Sequence, residues 1–144
     1  MAEYTSNALQ TVPAGQNVLF TEAPIPCNRG YVIHREGSGI LTLRGIVNNG
    51  GCFARYKVSF GSNIAIPAAG TVEPISIAIA IDGEPIPTSS MIVTPAAAEE
   101  FWNVYGSIFI TVPRGCCYTI AIENTSSQAI NVQNANLIVE RVAV

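Results

Sequence analysis

Charge is scarce in this chain. Asp, Glu, Lys and Arg together make up 12 % of its 144 residues, against about 25 % in an ordinary globular domain. Only seven residues are Lys or Arg, and the net charge at pH 7 is −3. So few scattered cations cannot form a strip that neutralises several phosphates, which excludes nucleic acid as a partner. His34 is the only histidine and Asp82 the only aspartate. The four cysteines, Cys27, Cys52, Cys116 and Cys117, contain no Cys-x-x-Cys pair, so a zinc site lacks its donor spacing. A calcium site lacks clustered acids. No cofactor or metal is therefore implied. No run approaches the roughly 18 apolar residues that cross a bilayer, and no membrane insertion is expected. The start of the chain, polar from Met1 to Asn7, has neither the basic beginning nor the apolar block of a secretion signal, so folding in a cytosol is expected.

What the chain has instead is apolar alternation. Hydrophobic residues make up 49 % of it and the mean hydropathy is +0.35. That exceeds what a single core of this size needs, which points to an additional surface buried between subunits. Residues 75–81 place Ile75, Ile77, Ile79 and Ile81 on one face and Ser76, Ala78 and Ala80 on the other, a strand pattern of β-branched residues at period two. Asp82-Gly83 follows as a hairpin turn, and Pro85 and Pro87 confine the return strand to an edge. Residues 105–112 repeat the theme. Ile108, Ile110 and Val112 share one face, while Tyr105 and Phe109 occupy the other, so both faces carry apolar bulk. Pro113-Arg114-Gly115 then turns the chain into a returning strand over 116–123, with Tyr118, Ile120 and Ile122 aligned.

The other elements read less sharply. Residues 1–15 form an arm or an edge strand, closed by a turn at Pro13-Ala14-Gly15. Strands are predicted at 16–21, 31–35 and 40–47. Pro24 and Pro26 make the stretch between the first two an extended connector. Asn48-Asn49-Gly50-Gly51 predicts a turn into a strand over 52–60, forming a hairpin with one buried face. Residues 63–70 read as a surface connection. Residues 95–102 suit either one or two helical turns, capped by Thr94 with Pro95 at the first position, or an extended loop. One or two strands over 130–142 close the chain. With so little helix, the strands can close only as antiparallel sheets, and a β-sandwich or jelly roll is expected.

No chemistry emerges from the candidate residues. His34 lies between Arg35 and Ile33 with no nucleophile-and-acid set around it, and reads as a structural polar group. Glu99 and Glu100 read as solvated. Cys116 and Cys117 point to opposite sides of a strand, so one of them is expected to face the core as a small apolar group. The amides near the end (Gln128, Asn131, Gln133, Asn134 and Asn136) read as a polar ladder on an outer face, with glycan-contacting groups as the alternative.

The stretch from Tyr105 through Cys116 to Ile122 resembles the penultimate strand pair of the tumour necrosis factor-like superfamily, which includes complement-type globular heads and the C-terminal domains of bacterial collagen-like proteins. Asp82-Gly83-Glu84-Pro85-Ile86-Pro87 is similar to their Asn-Gly hairpin, Gly39-Ile40-Leu41-Thr42-Leu43 to their preceding strand pair, and Asn136-Leu137-Ile138-Val139-Glu140-Arg141 to their final strand. Cys116 stands where those relatives carry an Asp. The resemblance covers residues 11–144. It implies an all-β antiparallel jelly-roll sandwich that assembles as a homotrimer, with residues 1–15 as an N-terminal arm and 16–144 as the trimerisation domain. Phe53, Arg55, Tyr105, Phe109 and Ile138 are the residues expected at the trimer contact. The sequence is also similar to small bacteriophage structural proteins. The expected function is thus a non-enzymatic capsid decoration or head-fibre protein on the virion surface, made in the host cytoplasm, with the major capsid protein or another virion protein as partner. The alternative is a bacterial surface or secreted trimer that binds a glycan or protein receptor.

Overall fold

The computed structural model describes residues 1–48 and 50–142. The strands are β1 (Ala2–Ser6), β2 (Gln10–Val12), β3 (Glu22–Ile25), β4 (Val32–His34), β5 (Leu41–Arg44), β6 (Phe53–Ala65), β7 (Ile75–Ile81), β8 (Glu84–Pro85), β9 (Met91–Val93), β10 (Trp102–Pro113), β11 (Cys117–Asn124) and β12 (Ile130–Val142). One sheet, A, runs β10-β6-β12-β1-β3, with β2 also on β12. The other, B, runs β4-β5-β11-β7-β8, with β9 also on β7. Every pairing is antiparallel. The two sheets pack face to face over one core, which makes the chain a jelly-roll sandwich.

The core follows from alternation. Along β6, Ala54, Tyr56, Val58, Phe60 and Ile64 all point inward and are fully buried. From sheet B, Ile75, Ile77 and Ile79 of β7 meet them with Ile120 and Ile122 of β11. In β12 the inward row is Ile130 and Val132, then Ala135, Leu137 and Val139. The change of parity is a β-bulge between Gln133 and Asn136, with Asn134 at φ 57. The bulge is why one strand reads as either one or two in sequence.

Several expectations are corrected. Neither the β5–β6 pair nor the β10–β11 pair is a hairpin: in each, the connection passes from one sheet to the other. An inward apolar row is the same whichever sheet supplies it, so alternation identified the strands without their neighbours. The two crossings clasp one another. Gly45 N–H donates to the Cys116 carbonyl at 2.8 Å and Gly115 N–H to the Gly45 carbonyl at 3.0 Å. The turn at 48–51 includes Asn49, which lies outside the described residues. The Asp82-Gly83 turn does join two paired strands, with φ of 50° and 86° as a type I′ turn requires.

Residues 16–20 form no strand, yet Val18 and Phe20 are fully buried. This segment is held along β11 by Val18 N–H to the Ile122 carbonyl and Asn124 N–H to the Gln16 carbonyl. The predicted surface connection at 63–70 begins as the end of β6, and Ile64, Ala65 and Ile66 are all in the interior. Residues 95–101 are a non-helical loop with a turn at 98–99, and the only helical turn among the described residues is a 3-10 turn at Pro87–Ser89, where a return strand was expected. Residues 1–15, expected as an arm or an edge strand, are built into sheet A. Ala2, Tyr4 and Ser6 alternate inward, and β1 is bonded on both sides, to β12 and β3. Cys116 and Cys117 are both exposed, so neither fills the core. Cys116 sits in the crossing turn and Cys117 points outward beside the inward Tyr118.

Polar side chains fill the gaps in the ladders. Between the short pairings of β8 and β9 on β7, Ser89 Oγ accepts from Ile79 N–H at 2.9 Å. Asn124, fully buried, donates to the Val12 and Gln128 carbonyls and accepts from Ser126 N–H, each at 2.9 Å. Two predictions follow from this packing. A Cβ at residue 45 would lie 2.1 Å from the Pro113 carbonyl oxygen, so Gly45→Ala is expected to cost about 1–3 kcal/mol, read as a lower denaturant midpoint at unchanged slope. Tyr56 donates to the Arg44 carbonyl at 2.6 Å. Burial raises its phenol above the ordinary range, against the lowering effect of Arg141. The unfolded chain therefore releases that proton first, and the Tyr56 contribution is full below about pH 10 and lost as pH rises through the folded value. Tyr56→Phe is expected to cost about 1 kcal/mol at neutral pH, and the gap from wild type should close above pH 10. A gap that stays constant into strong alkali would contradict this.

Candidate functional site

The outer side of sheet A carries the apolar surplus. From Phe53 to Asn63 of β6 and along β10 the inward residues are even-numbered, so the odd ones lie on the outer face, Ser59 buried among them, and the antiparallel register arranges them in rows across β10, β6 and β12. One row is Thr111, Arg55 and Val142; the next is Phe109, Lys57 and Glu140. Then come Ser107, Ser59 and Ile138, followed by Tyr105, Gly61 and Asn136. All five residues expected at a trimer contact, Phe53, Arg55, Tyr105, Phe109 and Ile138, therefore lie on this one face. Tyr105 is 65 % exposed and Phe109 63 %, while Phe53, Arg55 and Ile138 are half-buried.

Local contacts set the shape of this face. Gly61 leaves room for the ring opposite it, since a Cβ there would already touch Tyr105 Cδ2 at 3.7 Å. Ser59 and Ser107 hydroxyls bond across the strands at 3.0 Å. These two hydroxyls, Ser59 first, hold the Tyr105 phenol below its ordinary range. The Arg55 guanidinium lies 4.9 Å from the centroid of the Phe53 ring and its Nε donates to Thr111 Oγ1. Sequence reasoning found the aromatics. It missed Ser59, Gly61, Lys57 and Ser107, whose roles depend on cross-strand register and carry no signal in a linear pattern.

At one end the face turns polar. Asn103 Nδ2 donates to Asn63 Oδ1 at 3.1 Å, Asn63 Nδ2 to Asn134 Oδ1 at 3.0 Å, and Asn134 Nδ2 to Asn7 Oδ1. Asn136 donates to Glu3, Thr11 to Asn131, and Gln128 brackets the backbone of Thr71. These amides bond within the molecule as a polar ladder. Elsewhere, His34 stacks on Tyr4 at 4.7 Å and its Nε2 lies 2.9 Å from the Ser38 carbonyl. Asp82 accepts from the Thr119 N–H and hydroxyl, and Glu100 accepts from Trp102 Nε1. Each of these candidates has a structural partner.

No family model matches the chain, and no curated protein matches it. Solved structures do match. The globular domain of zebrafish complement 1qA protein aligns over 95 % of this chain and 94 % of its own, with a TM-score of 0.62 and 13 % identity. The C-terminal domain of EclA, a sugar-binding protein, aligns over 94 % and 80 % with a TM-score of 0.41 and 15 % identity. A family 35 carbohydrate-binding module from Clostridium thermocellum aligns over 91 % and 98 % with a TM-score of 0.35 and 14 % identity. The last two likenesses are too loose to carry an argument. The first spans nearly the whole of both chains, and it shows that this protein shares the jelly-roll fold of that globular domain.

Proposed function

We propose that this chain is a non-enzymatic binding and structural module that works as a homotrimer, its subunits joined through the outer face of sheet A. The observation behind this reading is the pair of aromatic rings, Tyr105 and Phe109, standing more than half exposed on β10 beside Ile138 and Phe53. Solvated aromatics on a strand whose inner side already fills a core have no role in the monomer. Covering one such ring contributes about 1.5–3 kcal/mol, repeated in each subunit. The long β10 is also an open edge, paired only with β6, and such an edge favours a partner. The low charge of the chain fits a surface meant to lose its water.

The finer placement, on a bacteriophage capsid beside the major capsid protein, rests on the sequence resemblance alone. Mass spectrometry of purified virions tests it, and absence of the chain from the particle overturns it. A glycan-binding trimer on a bacterial surface is the competing reading. Most of the late amides, which would have been its contact groups, are engaged within the molecule instead: Asn134 with Asn63 and Asn7, Asn131 with Thr11 and Asn136 with Glu3.

Light scattering tests the assembly directly. The expected mass is three times the 15.2 kDa of the chain, and a monomer at micromolar concentration would overturn the proposal. Lys57 lies directly opposite Phe109, so a carboxylate at 109 would find a counter-ion and make a blunt test. Phe109→Lys is sharper, because it places two like charges opposite one another in the contact. It should yield folded monomer with an unchanged far-ultraviolet spectrum. An intact trimer would move the interface to another face.

A further inference from the structure

A cavity of about 620 Å3 opens well away from the aromatic face. It lies between β3, the edge of sheet A, and β4, the edge of sheet B. Four strand spacings separate β3 from β10, about 19 Å, so a contact centred on β10 leaves this opening free. Ala23, Pro26, Val32 and Ile33 supply apolar walls. Tyr4, buried, and His34, half-buried and stacked on it, form the deep end. Glu22 and Glu36, both exposed, stand at the mouth.

The charged side chains lining this cavity, Glu22 and Glu36, have one sign. No Lys or Arg lines it. Neither Glu22 nor Glu36 is paired with a cation among the described residues. The His34 Nε2 faces a carbonyl oxygen, which can only accept. That nitrogen therefore carries a proton and is not an acceptor. Cys27 also lines the space. Burial raises its thiol, but the N–H groups of Arg29, Val32 and Tyr31, together with the α-ammonium of Met1, outweigh that and hold it below its ordinary range. An anion would meet two carboxylates here. A metal ion is disfavoured as well, because no three His, Cys, Asp or Glu side chains converge among the described residues.

We propose that this cavity binds an organic cation with an aliphatic stem, an alkylammonium group of the kind a lysine side chain carries. The stem packs on Val32, Ile33, Ala23 and Pro26. The charged end meets the carboxylates of Glu22 and Glu36, with the Tyr4 ring as a further attractive face. The volume lies within the range of small-ligand sites.

The test is a titration of the intact, methyl-labelled protein followed by NMR. N-acetyl-lysine methylamide and butylamine are the cationic probes, and N-acetyl-norleucine methylamide is the neutral isostere. Saturable shifts at the Val32 and Ile33 methyls are expected with the cations, at roughly millimolar affinity, and weaker ones with norleucine. The double variant Glu22→Gln, Glu36→Gln should weaken binding about tenfold, and Ala23→Phe should block it. Tighter binding of the lysine derivative than of butylamine would identify a peptide side chain as the source, and the reverse a free amine. Norleucine binding as well as lysine, shifts mapping elsewhere, or no shifts would each overturn the proposal. Such a failure leaves the homotrimer untouched, because the two measurements read opposite edges of sheet A.

Discussion

The molecule depends on β6. Thirteen residues long and without proline, it is bonded to β10 along one side and to β12 along the other, so a single strand carries the register of the long-stranded half of the sandwich. Its even positions supply Tyr56, Val58, Phe60 and Ile64 to the core, and the pleat then sends the odd positions from Phe53 to Asn63 outward. Because β10 and β12 are locked to it, their outward residues fall into rows with those of β6. The aromatic face is thus a geometric consequence of the core: Tyr105 and Phe109 face solvent because Val104, Ile110 and Val112 of the same strand face inward.

A second constraint is that a sandwich needs its chain to change sheets without leaving backbone groups unpaired. Here the two crossings satisfy each other at Gly45 and Gly115, in a space too tight for a side chain at residue 45. Where a ladder is interrupted, a side chain completes it. Ser89 does this for Ile79 on β7, and Asn124, at the end of β11, for Val12 and Gln128. These polar groups are buried among aliphatic residues, and their worth lies in the larger cost of leaving their partners unmet.

Much of this was readable in the sequence, and what was not has a common cause. Period-two alternation located β7, β10 and β11, and it placed Tyr105 and Phe109 on the side opposite Ile108 and Ile110. It cannot say which strand lies beside which, so two connections that look like hairpins turned out to join the sheets. Val18 and Phe20 are core residues on a segment with one isolated bridge, Asn17 to Glu123, where irregular backbone hides an inward row. Residues 95–101 carry good helix-forming composition, but Glu99 adopts φ 61 and donates its N–H to the Ile66 carbonyl, a tertiary bond that no local propensity encodes. For the same reason the cavity by His34 was invisible. Tyr4, Cys27 and His34 meet only because β1, the 26–31 loop and β4 converge at the open side of the sandwich.

The two edges of sheet A are built differently, and the difference bears on what each can do. β3 is four residues long, contains Pro24 and is followed by Pro26, so it presents an interrupted row of donors to any further strand. β10 is twelve residues long with proline only at its end, and beside its open edge stand the exposed aromatics. A second copy of the chain is therefore discouraged at β3 and favoured at β10. Protecting the β3 edge with proline rather than covering it with another element leaves the gap between the sheets open there. The same prolines that discourage a further strand at β3 thus keep the cavity flanked by Glu22 and Glu36 accessible there.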